Sequence, residues 1–228
     1  MYKRQEAARL VAAEASKTAP GLVWAASAVL EDRASAGDWD AVIETIARNA
    51  DARAIDRPTS KRLKAVARTA QALERADSDP DVAKTLALEA HALAPDLVPA
   101  AVLAARLASA AGDVKKATRL IETTWRVTPH PDLAAAYVRA RPGDAAQDRL
   151  KRAKALAALV PNTLEGTLAV AGAALEARLF ADARAMLSTV ATAAPTERVC
   201  FLMAQLCDAE DKIGEARQWA ARAVHAPR

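Results

Sequence analysis

Six prolines, Pro20, Pro58, Pro95, Pro129, Pro161 and Pro195, punctuate the 228 residues at intervals of 38, 37, 34, 32 and 34. A period near 34 is the length of two short helices and two tight turns, and it identifies a repeat architecture before any local pattern is considered. Proline suits such junctions because it stops one helix and can open the next. Small residues recur at a fixed offset, with Ala8, Ala83, Ala117 and Ala183 each twelve residues before a proline of this set. A methyl group at that position lets neighbouring helices touch. Turns between paired helices carry Gly37-Asp38-Trp39 and Gly112-Asp113-Val114. In these, Gly takes the left-handed conformation and Asp caps the next helix. The corresponding turns Arg178-Leu179-Phe180 and Asp211-Lys212-Ile213 lack Gly and are expected to be less regular.

With 52% hydrophobic residues, only 2 Phe and 2 Tyr, and few Gly, the core must be built from Ala and Leu at close helix–helix spacing. The pattern predicts helices over 3–18, 20–36, 38–54, 59–76, 80–93, 96–111, 113–127, 131–140, 145–159, 163–177, 180–193, 196–210 and 213–225. It resembles the tetratricopeptide repeat over essentially the whole chain. The resemblance implies a right-handed, all-α solenoid of about six helix pairs, a single domain over 1–228. First helices line a concave groove and second helices cover the convex side.

One stretch goes further. Trp125-Arg126-Val127-Thr128-Pro129-His130-Pro131-Asp132-Leu133-Ala134, followed by Tyr137, resembles the C-terminal domain of HemY-type proteins, bacterial tetratricopeptide proteins associated with haem biosynthesis. Leu97–Ala101 and Arg198–Ala204 contribute to the likeness, as do Trp24-Ala25 and Gly37-Asp38-Trp39. The resemblance implies an inner-membrane protein whose hydrophobic N-terminal region precedes this soluble repeat domain, linked to late porphyrin and haem metabolism. On that reading the chain is a fragment of a longer protein, and its unpaired cysteines favour the cytoplasmic face. No run of 18 uncharged apolar residues occurs in the sequence itself. Oxidase chemistry is not implied, since no Gly-x-Gly-x-x-Gly and no strand alternation are present.

No catalytic or metal constellation is legible. His91, His130 and His225 lie in different repeats, and no Cys-x-x-Cys or His-Glu-x-x-His occurs. His130 has two readings, an axial contact to a tetrapyrrole or a helix-capping residue within Pro129-His130-Pro131-Asp132, with Trp125 and Tyr137 packing beneath. Cys200, Met203 and Cys207 could be soft metal ligands or, by their spacing, the buried stripe of a helix. Lys61, Lys64, Arg68 and Arg75 fall on one helical face beside Arg62. They could hold an acidic peptide, porphyrin carboxylates or lipid headgroups, or form a solvated face balanced by Asp and Glu. The scattered Trp24, Trp39 and Trp219 point to packing, with Trp24 the leading anchor candidate if it faces solvent on the groove. A net charge of +4 and few aromatics argue against nucleic acid.

These features together describe a non-enzymatic interaction module for proteins or acidic peptides, with haem-biosynthesis enzymes as the implied partners. The alternative is a haem or porphyrin carrier that uses the basic groove.

Overall fold

A computed structural model of the chain describes residues 8, 10–15, 18, 22–193 and 195–227. The described residues of the helix expected over 3–18 are helical, and the rest of that span, with Pro20, lies outside the described residues. Twelve α-helices follow: α1 (Val23–Ser35), α2 (Trp39–Asp51), α3 (Arg57–Arg75), α4 (Pro80–Leu93), α5 (Val98–Ala110), α6 (Val114–Trp125), α7 (Pro131–Val138), α8 (Ala146–Leu159), α9 (Leu164–Glu176), α10 (Phe180–Ala193), α11 (Glu197–Ala209) and α12 (Ile213–His225). No strand occurs among the described residues. The fold is an α-solenoid of helix pairs. First helices begin at residues 98, 131, 164 and 197, so the later repeats keep a strict 33-residue register.

Local chemistry sets the helix starts. Asp38, Asp56, Asp79 and Asp113 each accept a backbone N–H three residues on, from Ala41, Thr59, Val82 and Lys116. Each satisfies one of the donors that a helix N-terminus leaves unpaired. Asp56 therefore starts α3 at Arg57, earlier than the expected residue 59, with Pro58 in the first turn.

The turns give one correction. Gly37 and Gly112 are left-handed, with φ of 71° and 83°. Arg178 and Asp211, expected to sit in less regular turns, have φ of 59° and 60° and close the same motif. Leu179 N donates to Ala174 O at 2.9 Å and Lys212 N to Cys207 O at 2.8 Å, as Asp113 N does to Ala108 O at 2.9 Å. Helix-end hydrogen bonding and packing fix this geometry whatever the residue, and a non-Gly side chain pays a conformational cost of about 1–2 kcal/mol there. Asp211→Gly should accordingly stabilise the chain by roughly 0.5–1 kcal/mol, and Gly112→Val should destabilise it by about 1–2 kcal/mol. A thermal melt checks both, and a fall in melting temperature for Asp211→Gly would contradict the strain.

The chain divides into two compact units, one ending at Leu107 and the other beginning at Ala108. In the first, α1 packs on α2, α2 on α3 and α3 on α4. Val42, Ile46 and Ala67 are buried there against Leu30, Trp39 and Leu63. In the second, consecutive helices from α6 to α12 pack in pairs, and the first helices also meet one another, α7 on α9 and α9 on α11. Its core holds Leu150, Leu168, Leu187, Val199, Met203 and Leu206, each burying enough apolar surface to contribute about 1.5–3 kcal/mol. Ala83, Ala117 and Ala183 are fully buried at helix contacts, as their shared offset predicts. Ala8, the fourth of that set, is exposed. Cys200 and Cys207 are fully buried beside Met203 on α11, the apolar stripe of the sequence alternatives.

An ion-pair network joins α10 to the α11–α12 turn. Arg184 donates through Nε to Glu210 at 3.1 Å, with a second, shorter contact to the same carboxylate, and Lys212 Nζ lies 2.9 Å from it. The Arg184 hydrogen bond, followed by that of Lys212, holds the Glu210 carboxyl at about 2, below its ordinary 4.5. Because the folded carboxyl titrates below the unfolded one, its contribution to stability is complete above pH 4.5 and is lost as pH falls toward 2. Glu210→Gln should flatten that acid limb of the stability curve. An acid limb identical to that of the unmodified chain would show the network to be inert.

Candidate functional site

The 33-residue register of α7, α9 and α11 places equivalent positions of the three helices side by side. Ala135, Leu168 and Phe201 occupy one such position. Their shared face lines a cleft of about 500 Å3 whose floor includes Ala134, Val138, Ala169, Gly172, Ala173 and Leu202. The floor is apolar and low because Ala and Gly carry little above the backbone. Phe201 stands in this cleft with 57% of its surface exposed. Burying a side chain of that size would yield roughly 1.5–3 kcal/mol, so its exposure leaves a binding contribution unused.

Charged side chains stand at both ends of the cleft. At the α7–α8 end, Arg139 lies 3.2 Å and Arg149 2.9 Å from the Glu176 carboxylate. Asp144, in the α7–α8 loop, receives Arg152 at 2.8 Å and Arg141 at 3.7 Å, and Arg149 also donates to the Asp144 carbonyl at 2.9 Å. Of these residues Arg139 and Glu176 line the cleft, and the Glu176 carboxylate is shared by Arg139 and Arg149. At the other end, Arg198 and Glu197 line the cleft, and Arg198 donates to both oxygens of Glu165 at 2.8 and 2.7 Å.

The residues singled out from the sequence lie elsewhere. Lys61, Lys64, Arg68 and Arg75 are all on α3, the first helix of its pair, and none lines this cleft. Arg68 is engaged by Glu89 at 3.5 Å and Asp40 at 4.0 Å and donates to Gln71 at 2.9 Å, while Arg62 pairs with Asp96 at 2.6 Å. Lys61, Lys64 and Arg75 make no ion pair with the described residues.

His130 caps α7, its Nδ1 accepting from Asp132 N at 3.2 Å and lying 3.6 Å from the Asp132 carboxylate. Pro131 opens the same helix and reaches the cleft, and Pro129 precedes the cap. Trp125 is fully buried and Tyr137 nearly so. The Tyr137 hydroxyl donates to Glu122 at 2.8 Å, and burial, followed by that hydrogen bond and the Glu122 charge, pushes it up to about 12. Trp39 and Trp219 are half-buried, whereas Trp24 on α1 is 55% exposed and faces solvent. The sequence signal for the cleft was the recurrence of one face at 135, 168 and 201 with a large aromatic in the last place. The charged end was hidden because its arginines come from a helix end, a loop and the next helix.

The chain covers 98% of its length in superposition on a tetratricopeptide repeat protein from Parabacteroides merdae, and 87% of that chain, with a TM-score of 0.51 and 12% identity. The fold is tetratricopeptide-like. No family model matches the chain. It is also similar to the probable magnetosome protein Mms48 of Magnetospirillum gryphiswaldense, 31% identical over 178 residues. That alignment takes in 77% of this chain and 39% of Mms48, so the chain spans about two fifths of that relative. No described helix of this tetratricopeptide-like chain is long and apolar enough to cross a membrane.

Proposed function

We propose that the chain is a non-enzymatic protein-interaction module whose α7–α9–α11 cleft receives a segment of a partner protein. The observation that carries this is Phe201, a large apolar side chain held open over a floor of Ala and Gly. Stacked helix pairs present such faces as a matter of construction, and the fold supports binding as the output. A photo-crosslinking amino acid in place of Phe201 should yield a defined protein adduct in cells that is lost when Gly172→Leu fills the cleft. Equal labelling with and without that substitution would refute docking at this site.

A haem-linked setting is the finer reading, supported by the likeness of Trp125–Ala134 and Arg198–Ala204 to HemY-type proteins. In it, haem-biosynthesis enzymes are the partners and a longer, membrane-anchored form of the protein carries this module at the inner membrane. Its carrier version places a tetrapyrrole on the α3 stripe of Lys61, Lys64, Arg68 and Arg75, with His130 as a further contact. Titration with haem and with iron-free protoporphyrin tests it. Saturable micromolar binding lost in Arg68→Glu or His130→Ala would support the carrier, and no saturable binding would end it.

A further inference from the structure

One end of the cleft carries Arg139, which shares the Glu176 carboxylate with Arg149, and the other carries Glu197 and Arg198, the latter held by Glu165. At the arginine end, both Glu176 oxygens are already taken, Oε1 by Arg139 and Oε2 by Arg149. Arg139 uses only one Nη2 hydrogen bond there, and its side chain stays 66% exposed. A guanidinium has five N–H donors in a fixed fork, so Arg139 keeps donors aimed away from Glu176. The Asp144 side chain is only 10% exposed and is consumed by Arg141 and Arg152. Two guanidinium groups thus share one carboxylate at this edge of the cleft, and Arg139 is the one that lines it.

The floor adds a second constraint. Gly172 is part of it, and a Cβ built there would meet nothing nearer than Leu202 Cδ2 at 3.8 Å. The open face admits close approach of another backbone, and about 500 Å3 exceeds one side chain. Two apolar groups one turn apart on a helix fit such a space.

We propose that the partner segment is an acidic amphipathic helix. Its apolar side chains, three or four residues apart, seat against Phe201 and the Gly172 floor, and an adjoining Asp or Glu meets Arg139 at the α7–α8 end. This rests on the reading of the cleft as a docking site.

The test is a selection of random peptides of about sixteen residues, long enough for four helical turns, displayed on phage against the full chain. The selected peptides should share apolar residues at three- or four-residue spacing next to Asp or Glu. A synthetic peptide of that consensus should bind the unmodified chain, lose binding in Gly172→Leu, and weaken about tenfold or more in Arg139→Glu, the effect of losing a charge-assisted contact. Lys115→Glu, exposed on α6 and outside the cleft, should bind as the unmodified chain does. Circular dichroism melts confirm that the variants fold, and Gly172→Leu is expected to melt no lower because it replaces a helix-interior Gly. Peptides lost on Gly172→Leu but without acidic residues and indifferent to Arg139→Glu would overturn the acidic-helix proposal and leave docking in the cleft standing. Peptides indifferent to Gly172→Leu, or no binders at all, would overturn both.

Discussion

Trp125→Ala should lower the stability of the unit that begins at Ala108 by about 3–5 kcal/mol, the cost of emptying a large buried aromatic site, and its melting temperature by on the order of 10 °C or more. Trp125 ends α6 and is fully buried, and α6 packs on α7 and α8. A void of that size in a close-packed interior is only partly filled by relaxation. Trp125→Phe should cost far less, about 1 kcal/mol. The indole Nε1 is buried without a hydrogen-bond partner among the described residues, so phenylalanine removes a donor already desolvated at a loss. Thermal or urea unfolding of the two variants measures the gap. Equal destabilisation would mean that the indole nitrogen, and not the ring volume, is what the site requires.

Gly166→Val should destabilise the same unit by about 2–3 kcal/mol through overpacking. Gly166 is on the first turn of α9, and a Cβ built there would sit 2.9 Å from Thr163 Oγ1, 3.2 Å from Ala157 Cβ and 3.4 Å from Ala157 Cα. Thr163 is the N-cap of α9, its Oγ1 accepting from Gly166 N at 3.1 Å. Turning that side chain away would cost the cap, and the Ala157 backbone of α8 cannot turn away at all. The contrast with Gly172, two turns later on the same helix and open to the cleft, makes this informative. If Gly166→Val and Gly172→Leu melted alike, the close contact between α8 and α9 would be wrong.

Helix boundaries were largely legible in the sequence. α4, α10 and α12 span the residues that the period and the caps indicate, because Pro80, Asp79 and the turn residues act within a few bonds of the helix end. The turns at Arg178 and Asp211 were misjudged for the opposite reason. Residue type makes the left-handed conformation easier, but helix-end hydrogen bonds and the packing of the next helix impose it. The charged stripe of α3 was visible as a stripe. That Arg68 is answered by Glu89 and Asp40 could not be seen, since those carboxylates come from other helices.

By itself the sequence determined that this chain is a series of helix pairs, since proline spacing, capping aspartates and small residues at fixed offsets are local and periodic. Tertiary structure alone decided which surface is open. Gly166 and Gly172 are the same residue in the same helix, yet one lies against Ala157 and the other under an empty cleft. Phe201 and Val199 are two residues apart on α11, yet one is exposed and the other fully buried. Arg139 and Arg149 meet at Glu176, and Arg141 and Arg152 at Asp144, only once α7, α8 and α9 are packed together. Contact between elements sets burial and summed charge, and no periodicity along a single chain encodes which faces are left without a neighbour.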